Sequence, residues 1–350
     1  MWFNPANQEE IILNDKIYTV VNSISSNSII EILQVRLKAD NNKLKADNNK
    51  LKADNNKLKA DNNKLKADNK NFVIKRVHDQ DYKDESENNI FLWERQAYSY
   101  LQRNSTYPTV NVMLEYDDDK QMMLFNIYDS DVRKMVNVGN INSVDLLLIL
   151  LRDVILGLKF IHEQDMSHND IRLANILYDA DKNLYLIADF DLAGYENKLI
   201  FLSTATIAAP ETLFNWRQPA TLKQLQQADL YSLGVLLYNI YKSIKNNKIY
   251  DIYPYTESMY DKLLNFNNIR EPDSLTITQD DIILLNDCDA NDQTICNVIN
   301  GLLQVDPEKR LTIAQVIDMI IEDYSKFKSV NTKLESKTNE DFFYNVHDYI

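Results

Sequence analysis

Five glycines serve a chain of 350 residues, and the first of them is Gly139. An average soluble chain of this length carries about 24, at ~7% of residues. Turns that need a positive φ, and loops that bring backbone close to a phosphate, usually rest on glycine because it lacks a Cβ. The segment before Gly139 therefore has no G-x-G-x-x-G, no Walker-type loop and no G-x-S-x-G elbow. Any phosphate cradle in that part must be built from other residues.

The rest of the composition fits a globular protein, with 45% hydrophobic and 26% charged residues, enough for one large domain or two lobes sharing a core. With 38 basic against 52 acidic side chains the net charge is −14, which argues against nucleic acid or an anionic membrane surface as the main partner. A nucleotide stays compatible, because local charge and Mg²⁺ decide its binding. Cys288 and Cys296 lack the spacing of a zinc site and are too few for a disulfide framework. They are expected to be small packing residues in a reducing compartment, hence a cytoplasmic protein, or one of the host cytosol if the source is an intracellular pathogen or a virus. The longest apolar run, Leu146 to Leu151, ends at Arg152 and Asp153, so neither a membrane span nor a signal peptide is expected. Composition does not address the oligomeric state.

Residues 37–70 repeat the heptad LKADNNK four times and close on LKADNK. One Leu per heptad falls short of the two that a coiled coil requires, and paired Asn lowers helix propensity. Before the repeat, Lys16 to Asn22 and Ile29 to Arg36 read as strands; after it come a strand over Asn71 to Val77, a helix over Glu87 to Leu101 and a hairpin over Val110 to Tyr128. From Ser143 onward the pattern is mainly helical. The insert joins the second and third of these strands, and pairing of the two would set its ends side by side. A straight helix of that length would hold its ends ~50 Å apart, against ~5 Å between paired strands. One helix cannot fill the gap.

The chemistry is concentrated in MSHNDIRLANILYDADKNLYLIADFDLAG, Met166 to Gly194. Asp170 precedes Asn175 by five residues, and Asp189 follows an apolar strand pair. A loop carboxylate at Asp170 can accept a hydroxyl proton, while Asn175 and Asp189 offer the hard oxygen atoms that Mg²⁺ takes beside phosphate. Phosphoryl transfer needs little beyond such positioning and charge neutralisation.

This stretch resembles the catalytic and metal-binding loops of the eukaryotic-type protein kinase family. Phe72-Val73-Ile74-Lys75 is similar to the family's V-A-I-K strand, and Glu94 in the next helix is placed to pair with Lys75. Ala209-Pro210-Glu211 resembles A-P-E, Asp229 to Gly234 resembles D-x-W-S-x-G, and Asp306 to Arg310 resembles the D-P-x-x-R segment whose Arg pairs with Glu211. The likeness covers about residues 12 to 325. It implies an α+β, bilobal protein-kinase-like fold: a small antiparallel β-rich N-lobe with one main helix over 12–128, a larger helical C-lobe over 129–328, and a tail over 329–350. It also implies ATP and Mg²⁺ as cofactors and a protein as phosphate acceptor. Catalysis would fall to Asp170, Arg172, Lys75 and Glu94, metal binding to Asn175 and Asp189. Nucleotide binding would fall to Lys75, Val73, Ile29, Leu177 and the backbone near Asn126 and Tyr128, with Phe125 as gatekeeper; Thr204 would face the catalytic Asp.

The chain departs from the family at several places, among them Arg172, which stands where the family has Lys and keeps its charge with a different donor geometry. Val21 to Ile29 carries Ser and Asn where the family has its glycine-rich lid, which implies a looser hold on ATP. Val73 adds bulk where the family has Ala. Asn169 replaces the Arg that clasps an activation-segment phosphate, so activity should not depend on that phosphate. Asp191 stands in place of the D-F-G glycine and either helps to hold a cation or points to solvent. The residues favour a Ser/Thr protein kinase and leave open a pseudokinase scaffold and a small-molecule phosphotransferase of the choline- or aminoglycoside-kinase type, which His168-Asn169-Asp170 and Asp189-Phe190-Asp191 also resemble.

Overall fold

A computed structural model of the chain describes residues 9–26, 29–38, 71–77, 90–103, 107–196, 204–214, 218–246, 253–265 and 276–330. Nearly all of the heptad repeat, the lid residues Asn27 and Ser28, and residues 331–350 lie outside them.

Alternating burial builds the first sheet. Strands β1 (Glu10–Leu13), β2 (Lys16–Ser26), β3 (Ile30–Leu37), β4 (Asn71–Val77), β5 (Met113–Asp117) and β6 (Met122–Asn126) pair antiparallel in the order β1-β2-β3-β4-β6-β5. The two-residue side-chain period puts Ile74, Met122 and Leu124 on one face, with Leu13, Leu33 and Val35. Val73, Val77, Met123 and Phe125 join the other face and the main core that continues into the helical lobe. Lys75 shares the inward face with Val73 and Val77, so the strand's parity alone turns it toward the cleft. The sheet begins two residues before the expected N-lobe boundary, because Glu10 to Leu13 pairs with β2 across a turn of Asn14 and Asp15, both at positive φ. Strand β2 also runs beyond the expected Asn22, to Ser26, with irregularities near Val20 to Asn22 and Ser23 to Ser25.

Helix α1 (Ile90–Leu101) packs on the inner face, with Phe91, Glu94, Ala97, Tyr98 and Leu101 buried. A short α2 (Val132–Asn137) leads to α3 (Val144–Glu163), whose first turn is capped by the Ser143 hydroxyl accepting from the Leu146 N–H at 3.3 Å. A second sheet, β7 (Ser130–Asp131), β8 (Ile176–Asp179) and β9 (Leu184–Ile187), lies on α3 and carries the loops of the site. Beyond it come α4 (Pro210–Phe214), α5 (Leu222–Asn246), α6 (Glu257–Leu264), α7 (Gln293–Leu302) and α8 (Ile313–Val330). Thr221 with Gln224, and Thr312 with Gln315, form reciprocal caps at the starts of α5 and α8. Helix α5 is buried through its middle and packs on α3 and α7, forming the axis of the larger lobe. Helix α8 carries the helical lobe to Val330, two residues into the expected tail. Among the described residues no helix is long and apolar enough to cross a membrane.

Arg310 is buried and forks onto Glu211, with nitrogen–oxygen distances of 2.7 and 3.1 Å, while also reaching the carbonyls of Gln227 and Gln304. The paired charges named from sequence thus tie α4 to the segment before α8. The two cysteines correct the sequence expectation. Cys288 and Cys296 are joined in a disulfide. The short turn Ala290–Asp292 folds the chain back between them and brings their Cα atoms to 6.6 Å, inside the ~4.4–6.8 Å that a bridge spans. Once bridged, they cease to be an argument for a reducing compartment.

The heptad insert is anchored at both ends by ladder pairing. Arg36 pairs with Asn71 across β3 and β4, and the Lys38 N–H donates to the Ile17 carbonyl, so the insert starts after Lys38, not at Leu37. Replacing residues 39–70 by Asn-Gly would leave a short hairpin and remove about 2 kcal/mol of loop-closure entropy. Thermal unfolding of that variant should give a melting temperature equal to or above that of the full chain. A fall of about 5 °C or more would show that the insert contributes contacts to the fold.

Candidate active site

Three elements converge on one buried ammonium. Lys75 Nζ lies 2.7 Å from Glu94 Oε2 and 2.7 Å from Asp189 Oδ1. Burial alone would push the Lys75 pKa down, and the Asp189 and Glu94 carboxylates more than reverse it, holding the group charged. Burial likewise works to raise the Asp189 pKa, and the neighbouring Lys75 overcomes it and holds that carboxyl below its usual range. Asp189 follows β9 at φ +72°, a left-handed backbone that Asp tolerates better than most residues. Its N–H donates to the Tyr98 hydroxyl at 3.2 Å. The Tyr98 ring packs against Phe190 at 4.9 Å and Phe125 at 5.0 Å, and Phe190 packs against His168 at 4.9 Å. The expected gatekeeper Phe125 thus joins Tyr98, Phe190 and His168 in one cluster of edge-on and tilted aromatic contacts.

The loop after α3 supplies the second half. Asp170 is buried, and its Oδ2 accepts from Asn175 Nδ2 at 2.6 Å and pairs with Arg172 Nε at 2.9 Å. Asn175 turns its amide nitrogen to Asp170, donating also to the Asp170 carbonyl at 3.0 Å. The Asp170 N–H donates to His168 Nδ1 at 3.2 Å, which places the imidazole proton on Nε2, 3.1 Å from the Ala188 carbonyl. His168 is thus a brace between the two loops.

Asp191, the residue at the family's glycine position, is half-buried, with its Oδ1 shielded from solvent. Carboxylate oxygens of Asp170, Asp189 and Asp191 lie within 4.8 Å of one another. Burial, followed by the charge of Asp189, raises the Asp191 pKa to about 6.

The nucleotide-binding expectations fall on several elements. Ile29 precedes β3, Val73 pairs with Phe125 in the β4–β6 ladder, and both pack against the main core. Leu177 sits half-buried in β8 between Asp131 of β7 and Leu186 of β9. Asn126 and Tyr128 line a cavity of about 500 Å³ together with Thr109, Arg152 and Leu186, and Ile29, Val73 and Leu177 do not border it. Thr204 lines a second cavity, of about 200 Å³, with Arg133, Arg172, Asn239 and Tyr253.

Sequence reasoning had assigned no site role to two anchors. Asp229 in α5 accepts from the N–H groups of His168 and Asn169 at 2.8 and 2.7 Å and meets His162 Nε2 at 2.9 Å, so it fixes the loop that carries Asp170. Trp93 Nε1 donates to the Ala193 carbonyl at 2.8 Å, tying α1 to the segment after Asp191. The signal for Asp229 was present as a carboxylate in an otherwise apolar helical run. Trp93 gave none, because its partner is a backbone carbonyl.

Fold and cleft together define the bilobal kinase-like class: a β-rich lobe and a helical lobe, with a Lys–Glu–Asp ion cluster where they meet. The family model described as the protein kinase domain matches residues 60–320, and the chain belongs to that family. It is similar to Serine/threonine-protein kinase PSK1 of Saccharomyces cerevisiae, 30% identical over 159 residues, which cover 43% of this chain and 10% of the relative. It is also similar to Serine/threonine-protein kinase sid1 of Schizosaccharomyces pombe, 29% identical over 107 residues, 30% of this chain and 22% of the relative. Mitogen-activated protein kinase pmk-1 of Caenorhabditis elegans is 28% identical over 110 residues, 31% of this chain and 27% of the relative. The matched segments span about a quarter or less of these relatives' lengths.

Where the loop that carries Asp170 meets the segment after Asp189, Ser167 and Gly194 exchange backbone hydrogen bonds at 2.9 Å in each direction, and Asn169 Nδ2 donates to the Leu192 carbonyl at 3.0 Å. A Cβ on Gly194 would come within 2.6 Å of Asn169 Nδ2 and 2.8 Å of Ser167 Oγ. Gly194→Ala should therefore lower stability by about 1–3 kcal/mol, the usual range for overpacking, read from urea unfolding. A loss under about 0.5 kcal/mol would show that this junction yields freely.

Proposed function

We propose that the chain is a protein kinase that transfers the γ-phosphoryl group of ATP·Mg to Ser or Thr hydroxyls of a protein substrate. The observation that carries this reading is Lys75 clamped between Glu94 and Asp189 beside the Asp170–Asn175 pair. A cationic grip, a loop carboxylate and amide and carboxylate ligand atoms are what phosphoryl transfer asks of a protein.

In this reading Lys75, held charged and oriented by Glu94, grips the nucleotide phosphates. Asp170 orients the acceptor hydroxyl and takes its proton as that oxygen bonds to the γ-phosphorus. The bond from phosphorus to the β,γ-bridging oxygen breaks, and ADP leaves with the electron pair. Arg172, half-exposed and paired with Asp170, offsets charge on the transferred group. Asn175 and Asp189 would hold Mg²⁺, which neutralises phosphate charge when bound. All the donor atoms at hand are oxygens, the set that suits this hard cation. Because Asn169 engages the Leu192 carbonyl and Trp93 engages Ala193, the start of the activation segment is held by neutral hydrogen bonds, and activity is independent of phosphate on it. The exposed Ser and Asn side chains of β2, Asn22 to Ser26, form the lid and hold ATP less tightly than glycine backbone does.

The test is transfer of labelled γ-phosphate. The protein should label itself or a generic protein acceptor, Asp170→Ala should lower the rate by at least about 10³-fold, and Asp189→Ala should abolish the thermal shift given by ATP with Mg²⁺. Transfer unchanged in Asp170→Ala contradicts the mechanism. Labelling confined to an amino alcohol or an aminoglycoside moves the chain to the small-molecule phosphotransferases, and neither transfer nor a thermal shift makes it a scaffold.

A further inference from the structure

The cleft carries one more carboxylate than the proposed chemistry uses. Asp191 Oδ1 is fully buried and has no hydrogen-bond partner among the described residues. A buried carboxylate oxygen left unpaired costs the desolvation of a charged group, so native structures seldom keep one without a ligand or water. Its neighbours cannot supply the missing partner. The Asp170 and Asp189 oxygens within 4.8 Å are acceptors as well, and Lys75 is shared between Asp189 and Glu94.

Charge counting points the same way. Asp170, Asp189 and Asp191 set three carboxylates against the two cations Lys75 and Arg172, while burial pushes the Glu94 pKa up to about 8, so the cluster holds one carboxylate more than its cations match. Geometry agrees. Oxygens around a six-coordinate Mg²⁺ at ~2.05 Å are about 2.9 Å apart when adjacent and about 4.1 Å when opposite, so a cluster spanning 4.8 Å needs only a small contraction. Mg²⁺ ordinarily binds through one or two carboxylates and gains its remaining oxygens from phosphate and water.

We infer that Asp191 is a third carboxylate ligand, with Asp170 and Asp189, in a site that takes up a divalent cation in the absence of nucleotide. The inference extends the proposed function, in which the same cleft handles a cation-bound nucleotide, but its test reads the cation alone. Mn²⁺ serves as the probe because it takes the same oxygen ligands as Mg²⁺ and reports binding by loss of its free-ion paramagnetic resonance signal. Nucleotide-free full-length protein is titrated with Mn²⁺ alongside Asp191→Gly, which restores the family residue, and Asp191→Asn, which keeps shape and removes charge; far-ultraviolet circular dichroism confirms that each variant is folded.

The expected result is one tight Mn²⁺ site in the nucleotide-free protein and at least about tenfold weaker binding in both variants. Absence of tight Mn²⁺ binding in the unsubstituted protein, or equal binding in all three, overturns the inference. Asp191-dependent Mn²⁺ binding in a protein that transfers no phosphate supports the cation site while removing the kinase reading, so the two fail separately.

Discussion

The ammonium of Lys75 is the point on which this structure turns. It is the shared partner of two carboxylates, one from helix α1 and one from the loop after β9, and both contacts are 2.7 Å long. Removing Lys75 would leave Glu94 and Asp189 facing each other in a buried setting, where an unmatched charge typically costs 3–5 kcal/mol. The cluster therefore joins the β-rich lobe to the helical lobe and sets the position of α1. The edge-on and tilted aromatic contacts of Phe125, Tyr98, Phe190 and His168 pack beside it.

A second constraint is the backbone. With so few glycines, the chain obtains left-handed conformations from side chains that tolerate them. Asn14, Asp15, Asp165, Asn169, Asn183 and Asp189 have positive φ among the described residues, joined by Gln121 and, of the glycines, Gly139. Two of these, Asn169 and Asp189, stand in the site itself. Gly194 has a different use: it permits the close approach of Ser167 and Asn169 rather than a positive φ. Scarcity of glycine thus restricts close approaches more than it restricts turns.

Much of this could be read from sequence because the signals were local. The strand around Lys75, the helix that begins near Ser143, and the pairing of Glu211 with Arg310 follow from residue types at short spacing or from ordered motifs. What escaped depends on long-range geometry. Strand β1 is only four residues long and is specified by its partner. The end of β2 looked like a loop because its Ser and Asn residues are turn formers, yet pairing with β3 keeps it extended. The disulfide required the fold-back at Ala290–Asp292, which the spacing of two cysteines does not reveal. Asp191 had two open fates in sequence, and only the approach of Asp170 and Asp189 turns it inward.

In the proposed function Lys75 and Glu94 act as one unit in gripping nucleotide phosphate. A double-mutant cycle with Lys75→Met and Glu94→Gln, reading the dissociation constant for ATP in the presence of Mg²⁺, tests this directly. The two changes should be strongly non-additive, with a coupling energy of about 1–3 kcal/mol, as for residues in one ion-pair network. Additive effects within about 0.3 kcal/mol, or ATP affinity untouched by either change, would contradict the account.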